Sequence, residues 1–335
     1  MVRAVATPDE QVEATVALED AGKTLEALVR KALDGVPWSR ARDLVRSGRV
    51  MVEGRSATDP AVRMRAGEAI AIRPEAARVP KLALRDEEVA FVDDDVLVVH
   101  KSAGALTVPT EEGERDTLAD RARAFLRGYG KRNAEAARDD ELGIVHRLDR
   151  DTSGLLVFAR SFAAKKALAA QFAEHTVERA YLAIVHGKAR ATTHDTTLVL
   201  DRGDGLRGTF ARPFPHGPKT FPSRPPASAQ QAVTHVEVLE DLGIATLVRC
   251  RLETGRQHQI RIHLSEAGTM VVGETVYLRE FRGKKIAAPR LMLHATALGF
   301  THPTRGEVVR FEAPPPEDFR AVLDRLRRGM VSRPR

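Results

Sequence analysis

The sequence predicts an α+β fold in two domains, and three observations carry that prediction. Helix-like and strand-like segments follow one another irregularly over 335 residues, without the regular alternation that builds a doubly wound parallel sheet. The charge changes sign along the chain: residues 1–20 hold one basic and five acidic groups, and residues 23–72 hold ten basic and six acidic. Pro74 and Pro80 then mark a break between a short helical module and a longer, strand-rich region. The expected divisions are an acidic leader (1–20), a small α/β module (21–74), a linker (75–87), a large domain with a mixed, largely antiparallel sheet and flanking helices (88–322), and a basic tail (323–335).

Each element has a local reason. The leader is acidic, lacks a long apolar run and reads as mobile, neither signal peptide nor anchor. In "KTLEALVRKALDG", Leu25, Leu28, Val29, Ala32 and Leu33 recur at helical spacing, and Gly35 and Pro37 end the helix. Ser39 is placed to cap a second helix, "RARDLVRSG", whose apolar face is Ala41, Leu44 and Val45. Arg42, Arg46 and Arg49 form a basic stripe beside that face, joined by Arg40 and opposed only by Asp43. "RVMVEG" and "GEAIAI" read as short strands around a turn at Asp59-Pro60.

In the larger domain, "EVAFVD" and "VLVVHK" read as strands, followed by a helix near Thr117–Leu126. A helix from Ser161 to about His175 and a strand "AYLAIVHG" come next. Residues 201–231 are rich in proline, glycine and basic groups and read as a long excursion. Strands at 232–240 and 244–253 precede a helix-like "RQHQIRIHLSEAG". The basic tail reads as an RNA contact or a frayed end.

Bulk properties narrow the function classes. A net charge of +7 favours a polyanionic partner, although a basic protein without a special partner has the same charge. Aromatics are only 5%, so nucleic-acid contact would rely on arginine more than on a stacking platform. The single cysteine, Cys250, rules out a disulfide framework, alternates into a strand core, and fits a reducing, cytoplasmic setting. No segment is long and apolar enough to span a membrane. Walker, GxGxxG, HExxH and GxSxG patterns are missing. His258 and His263 stand five apart, a poor spacing for two ligands on one helical face. No metal and no cofactor are expected, so any chemistry falls to ordinary side chains.

Three segments are polar where their surroundings are apolar. They are "GIVHRLDRDTSGLLVFAR" (Gly143–Arg160), "ERAYLAIVHG" with Tyr181, and "LETGRQHQIRIHL" with Arg256, His258, Gln259, Arg261 and His263. Singly, each has a plain structural reading. Asp149 can be half of a surface ion pair, Tyr181 a half-buried strand residue, and the third segment an amphipathic helix with a wet face.

Together the three segments resemble the signature motifs of the RluA-type pseudouridine synthases, over about residues 88–320. "VLVVHKSAGALTVP", "AVTHVEVLE" and "LMLHATALGFTHPTRGEVVRFEAPPPEDF" add smaller matches in the same order. The "SRARDLVRSGRVMVEGR" core resembles the S4 RNA-binding domain, with a DNA-reading helix-turn-helix the alternative for that module. Departures are Arg179 where lysine is usual, Ser102 for proline, Glu274 for aspartate and Leu278 for glycine. The last three are expected to affect supporting loops only.

The resemblance implies an isomerase that detaches a uridine of RNA from its ribose at N1 and rejoins it through C5, with no cofactor. It implies Asp149 as the catalytic carboxylate, kept ionised by Arg261, whose planar fork fixes its orientation. Whether that carboxylate attacks sugar or base, or removes a sugar proton, stays open. Tyr181 would lie against the uracil, by stacking or as a proton acceptor. Arg147 would fill the space left by the extruded base or hold the flanking backbone, and Arg150 would contact phosphate or support the loop. Thr152 and Gly154 belong to a tight turn, while Arg256, His258 and Gln259 line the pocket or touch phosphate. Arg40, Arg42, Arg46 and Arg49 would contact RNA. The expected partner is RNA, large-subunit rRNA first and tRNA as the alternative, bound by a monomer. Competing readings are a non-catalytic S4-type RNA-binding protein and a hydrolase with paired acids. The hydrolase needs a second carboxylate or a metal cluster near Asp149, and Asp151, the nearby candidate, would point away from it on a strand.

Overall fold

The structure is a computed structural model that describes residues 12–57, 60–74, 83–110, 114, 116–132, 142–213, 223–278 and 281–331. It forms two compact units, Met1–Leu82 and Ala83–Arg335. Asp59, residues 75–82 of the expected linker, and 332–335 at the end of the tail lie outside the described residues.

In the first unit, α1 (Leu25–Ala32) and α2 (Trp38–Arg46) accompany a four-stranded antiparallel sheet. Its strands are β1 (Val12–Thr15), β2 (Val50–Val52), β3 (Arg55–Ala57) and β4 (Ala69–Ile72), in the order β1-β4-β2-β3. The helical spacing read in the sequence is the packing face: Leu25, Leu28 and Val29 meet Ala41, Leu44 and Val45 over Val50, Met64, Ile70 and Ile72. Glu53 (φ 49°) and Gly54 (φ 73°) make the turn from β2 to β3, both in the left-handed region that a two-residue hairpin turn demands.

Two expectations are corrected here. Residues 12–20 are not a mobile leader. β1 pairs with β4 from Val12↔Ile72 to Thr15↔Ala69, and Val16 is buried. Asp20 accepts from Lys23 (2.7 Å) and Lys31 (2.5 Å), which anchors the acidic segment to the basic one. Ser39 is not a cap either. The helix starts at Trp38 after an extended Pro37, whose fixed φ suits a helix entry.

Among the described residues, the second unit is built on eleven strands. In chain order they are β5 (Val89–Val92), β6 (Val96–Lys101), β7 (Gly143–Ile144), β8 (Ser153–Ala159), β9 (Glu178–His186), β10 (Thr192–Val199), β11 (Gly208–Thr209), β12 (Gln230–Asp241), β13 (Ala245–Leu252), β14 (Leu293–Thr301) and β15 (Val308–Glu312). Helices α3 (Leu118–Arg132), α4 (Phe162–Ala173), α5 (Gln259–Glu266) and α6 (Glu317–Val331) flank the sheet. The order is β11-β10-β12-β13-β9-β14-β8-β6-β5, with β7 on β8 and β15 on β14. Every pairing among the described residues is antiparallel except β8 with β14, so the fold is the mixed, largely antiparallel α+β architecture that the sequence predicted.

Strands β6 and β8 show why the apolar runs are nearly continuous. Leu97, Val99, Leu156 and Phe158 face one core with α3 and α6, while Val96, Val98, Leu155 and Val157 face another with α4. A strand covered on both faces gains from apolar residues at every position. Ser161 caps α4 by accepting from the Ala164 N–H (3.0 Å). The excursion at 201–231 is shorter than expected among the described residues, because β11 and the start of β12 occupy part of it. The tail is also corrected. Phe319, Val322, Leu323 and Leu326 of α6 are core residues, at helical spacing that its many arginines obscured.

Candidate active site

Asp149 stands in a loop held from below. The loop enters from β7 and leaves into β8, and between them it is clamped by its neighbours' backbone and by one lysine. Lys101, at the end of β6 and 2% exposed, donates from Nζ to the carbonyls of Ser102 (3.2 Å), Asp149 (3.0 Å), Arg150 (2.8 Å) and Thr152 (2.7 Å). Burial pushes this ammonium down to about 7, while Asp149, Asp151 and its carbonyl acceptors favour the charged form. Thr107 donates from Oγ1 to the Leu148 carbonyl (3.0 Å) and accepts from its N–H (3.2 Å). Gly104 donates to the Arg150 carbonyl (2.8 Å), and the Thr152 N–H to the Asp149 carbonyl (3.1 Å).

Gly154, expected from the sequence in a tight turn, is instead the second residue of β8, at φ 120° and pressed against β14. A Cβ there would lie 2.2 Å from the Ala295 carbonyl oxygen. Only glycine allows the two backbones this approach. His146 braces the loop entry. Its Nε2 accepts from the Val157 N–H (3.0 Å) and its ring stacks on Phe172 at 4.5 Å. Burial, helped by Arg179, pushes its pKa down to about 3, so it is a neutral structural residue.

Residues 112 positions apart meet at the carboxylate. Arg261 reaches Asp149 Oδ2 through Nη1 at 3.3 Å, and His258 Nε2 lies 3.8 Å from Asp149 Oδ1. The fork of Arg261 is not on Asp149, however. Nε and Nη2 make a bidentate pair with Glu274, both at 2.7 Å. Glu274 is buried and also accepts from the N–H groups of Thr275 (2.9 Å) and Val276 (2.8 Å). Burial works against both ionised groups, yet each holds the other's charge: Glu274 lies below its ordinary range and Arg261 above its own. Glu274 is therefore part of the Asp149–Arg261 network, which corrects the expectation that its departure from aspartate affects a supporting loop only. Tyr277 completes the group. Its ring lies under the guanidinium of Arg261 (5.4 Å), and its hydroxyl is 2.8 Å from His258 Nδ1.

A cavity of about 470 Å³ opens over this network, lined among others by Arg147, Asp149, Arg179, Tyr181, Arg256, His258 and Arg261. Tyr181 is buried, on β9, and burial pushes its phenol up to about 12, so the cavity is walled by a neutral ring. Arg179 donates to the Glu253 carbonyl (2.6 Å) and covers the Phe172 ring at 5.6 Å. Its guanidinium fills the space above Gly255, where a Cβ would lie 2.3 Å from Nη1.

The other expected residues divide. Arg147 is exposed at the mouth of the cavity, and Arg150 is exposed beside it, donating to the Gly104 carbonyl (3.2 Å). Thr152 lines the cavity but is buried, with its hydroxyl unpartnered among the described residues. Arg256 donates to the Gln231 carbonyl (3.0 Å). Gln259 lines the cavity, one of its two expected roles, but is corrected as a phosphate contact. Its amide is spent on Val233 O (3.0 Å), Thr234 Oγ1 (2.9 Å), Thr254 Oγ1 (2.7 Å) and the Arg256 N–H (3.0 Å), and it is 2% exposed. In the first unit, Arg40 and Arg42 are exposed and Arg46 and Arg49 half-buried; Arg42 pairs with Glu26 at 2.7 Å. The described residues hold no cluster of three or more potential metal ligands, and none of their helices is long and apolar enough to cross a membrane.

Lys101, Glu274 and Tyr277 were missed as site residues. Lys101 had one signal, a lysine ending the buried run "VLVVHK", where alternation turns it toward the same face as Leu97 and Val99.

Residues 95–266 match the family model described as RNA pseudouridylate synthase. The chain is 33% identical over 330 residues to a ribosomal large subunit pseudouridine synthase D of Zymomonas mobilis, covering 95% of this chain and 98% of that one. It is 34% identical to a protein of the same description from Neisseria meningitidis, covering 95% and 83%. The fold is similar to that of human RNA pseudouridylate synthase domain containing 4, with a TM-score of 0.57 and 22% identity over 71% of this chain and 92% of that one. The chain belongs to the RNA pseudouridylate synthase family, and it is an isomerase that converts uridine in RNA to pseudouridine.

Proposed function

We propose that this protein converts specific uridines of large-subunit ribosomal RNA, with Asp149, Arg261 and Tyr181 as its catalytic set. The 3.3 Å contact between Asp149 and Arg261 carries the assignment, because it joins two distant segments at one carboxylate over a cavity. Asp149 is the reacting carboxylate and Arg261 aims it. Tyr181 offers its ring to the uracil. Arg147 occupies the space of the extruded base, with Arg150 and Arg256 along the backbone of the bound strand. Thr152 lies under the loop, and Gly154 seats the start of β8 against β14. The rRNA target is supported by the description of relatives that match nearly the whole chain.

The finer branch is the RluA-type group. Residues 21–74 act as an S4-like RNA-binding domain, presenting Arg40, Arg42, Arg46 and Arg49 to RNA. The protein works as a cytoplasmic monomer without a cofactor. The test is to delete the gene and map pseudouridines in rRNA and tRNA by chemical labelling and primer extension. A site lost from large-subunit rRNA, restored by the wild-type gene and not by Asp149→Asn, is the expected result. A site lost only from tRNA would move the target, and restoration by Asp149→Asn would overturn the role of Asp149.

A further inference from the structure

His258 was expected to line the pocket or touch phosphate, but its surroundings are those of a group aimed at a carboxylate. It is the residue before α5 and sits at φ 58°, ψ 16°, a left-handed conformation that a non-glycine residue adopts at a cost. That backbone turns the ring inward, between Asp149 and Tyr277, where it is half-buried. We propose that His258 is a positioning residue for Asp149, donating from Nε2 to Oδ1 while Tyr277 sets its tautomer. This rests on the reading of Asp149 as the reacting carboxylate.

The tautomer follows from the neighbours. Burial pushes the Tyr277 phenol up to about 12, so it keeps its proton. That proton is donated to Nδ1, 2.8 Å away. A neutral imidazole then carries its own proton on Nε2, the nitrogen that faces Asp149 at 3.8 Å. The charged and titratable groups facing His258 are Asp149, Arg261, Glu274, Arg207 and Tyr277. Burial lowers its pKa, aided by the two arginines and resisted by the two carboxylates. The carboxylate is thus approached on Oδ2 by Arg261 and on Oδ1 by His258, so both of its oxygens are directed. The separation is 3.8 Å, longer than a hydrogen bond, and must close when RNA binds for His258 to act in this way, as catalytic contacts commonly tighten in the complex.

The test compares full-length wild type with His258→Leu, His258→Gln, Tyr277→Phe and Asp149→Asn on an rRNA fragment that the wild type modifies. His258→Leu is expected to lower kcat by ~10- to 100-fold, the loss of a hydrogen bond to a charged group, and to change KM less than about twofold. His258→Gln, whose amide N–H reaches the same place, is expected to restore kcat to within about fivefold of wild type. Tyr277→Phe is expected to lower kcat about three- to tenfold at unchanged KM, because the tautomer is no longer set.

Melting temperatures are read beside the rates. If leucine at the left-handed position prevents folding, His258→Gln and Tyr277→Phe carry the test. Full kcat in His258→Leu, or a rise in KM alone, would overturn the proposal in favour of an RNA contact, as would a folded His258→Gln with a kcat as low as that of His258→Leu. Activity in Asp149→Asn would overturn the underlying reading instead, so the two failures are distinguishable.

Discussion

Glu274 holds Arg261 through two parallel hydrogen bonds of 2.7 Å, leaving Nη1 alone to reach Asp149 at 3.3 Å. The arginine is thus anchored by a buried carboxylate and works on a more exposed one. A guanidinium gripped in this way cannot rotate, so the direction of its remaining N–H is set before substrate arrives.

Glu274→Gln should therefore cost stability and rate together. It leaves Arg261 buried beside a neutral amide, a change that costs about 3–5 kcal/mol when a buried pair loses one member. Urea denaturation should show that loss, and single-turnover assays should show kcat falling ~100-fold. Glu274→Asp keeps the charge and should lose less on both counts. The pH dependence has a definite sign. The folded-state pKa of Glu274 lies below its ordinary 4.5. The contribution of the pair is therefore fully present above about pH 4.5 and is lost as the pH falls through the folded value. In Glu274→Gln, stability should vary less over that acid range.

Tyr181 should act as a neutral phenol. With its pKa pushed up to about 12 by burial, no phenolate accumulates near neutrality. Activity between about pH 7 and 9 is expected to show no rise from phenol ionisation, and wild type and Tyr181→Phe should have parallel pH profiles over that range. Tyr181→Leu removes the ring itself and should lower kcat further than Tyr181→Phe. A phenylalanine variant whose profile lost an alkaline rise would assign the hydroxyl a role as base.

Lys101→Met should loosen the Asp149 loop without touching the cavity. The substitution leaves three carbonyl oxygens of the loop, and that of Ser102, without their shared donor. Each buried acceptor left unsatisfied costs about 1–3 kcal/mol, and water entering the space offsets part of this. Thermal unfolding should occur at a clearly lower temperature, and kcat should fall more than RNA affinity, because the carboxylate loses its seat while the basic groups at the rim stay.

Gly154→Ala tests the base of the same loop. The added methyl would lie 2.2 Å from the Ala295 carbonyl oxygen, at a φ of 120°. Backbone must move, and it is the one parallel pairing of the sheet, β8 with β14, that must open. A loss of more than about 3 kcal/mol is expected in chemical denaturation, or failure to fold.

Reversing charge on the first unit separates binding from chemistry. Arg40→Glu with Arg46→Glu should raise KM and flatten the dependence of log affinity on log salt, by about one unit for each phosphate that is no longer neutralised. The single-turnover rate at saturating enzyme should stay within about twofold. An unchanged salt slope would remove these arginines from the RNA-binding surface.

Much of this architecture was present in local pattern. The faces of α1 and α2, the runs in β6 and β8, and the start of α4 near Ser161 depend on spacing that a chain carries by itself. So did the polarity of the 146–153 loop between two buried strands, whereas the pairing of that loop with Arg261 came only from family resemblance. Other elements were invisible for stated reasons. β1 sits in an acidic segment whose strand character depends on pairing with β4, and α6 is so rich in arginine that its apolar face was hidden.

What only the tertiary structure decided is who holds whom. The sequence determined that an aspartate, an arginine and a tyrosine of the right kinds lie in three separate segments. It could not show that the fork of Arg261 closes on Glu274 and not on Asp149, or that Lys101 binds four carbonyls under the loop. Nor could it show that Gln259 is consumed by β12, or that His258 turns inward on a left-handed backbone. Periodicity reports which face a residue occupies. Hydrogen-bond partners are chosen by distances between segments far apart in the chain, and those exist only once the sheet has brought them together.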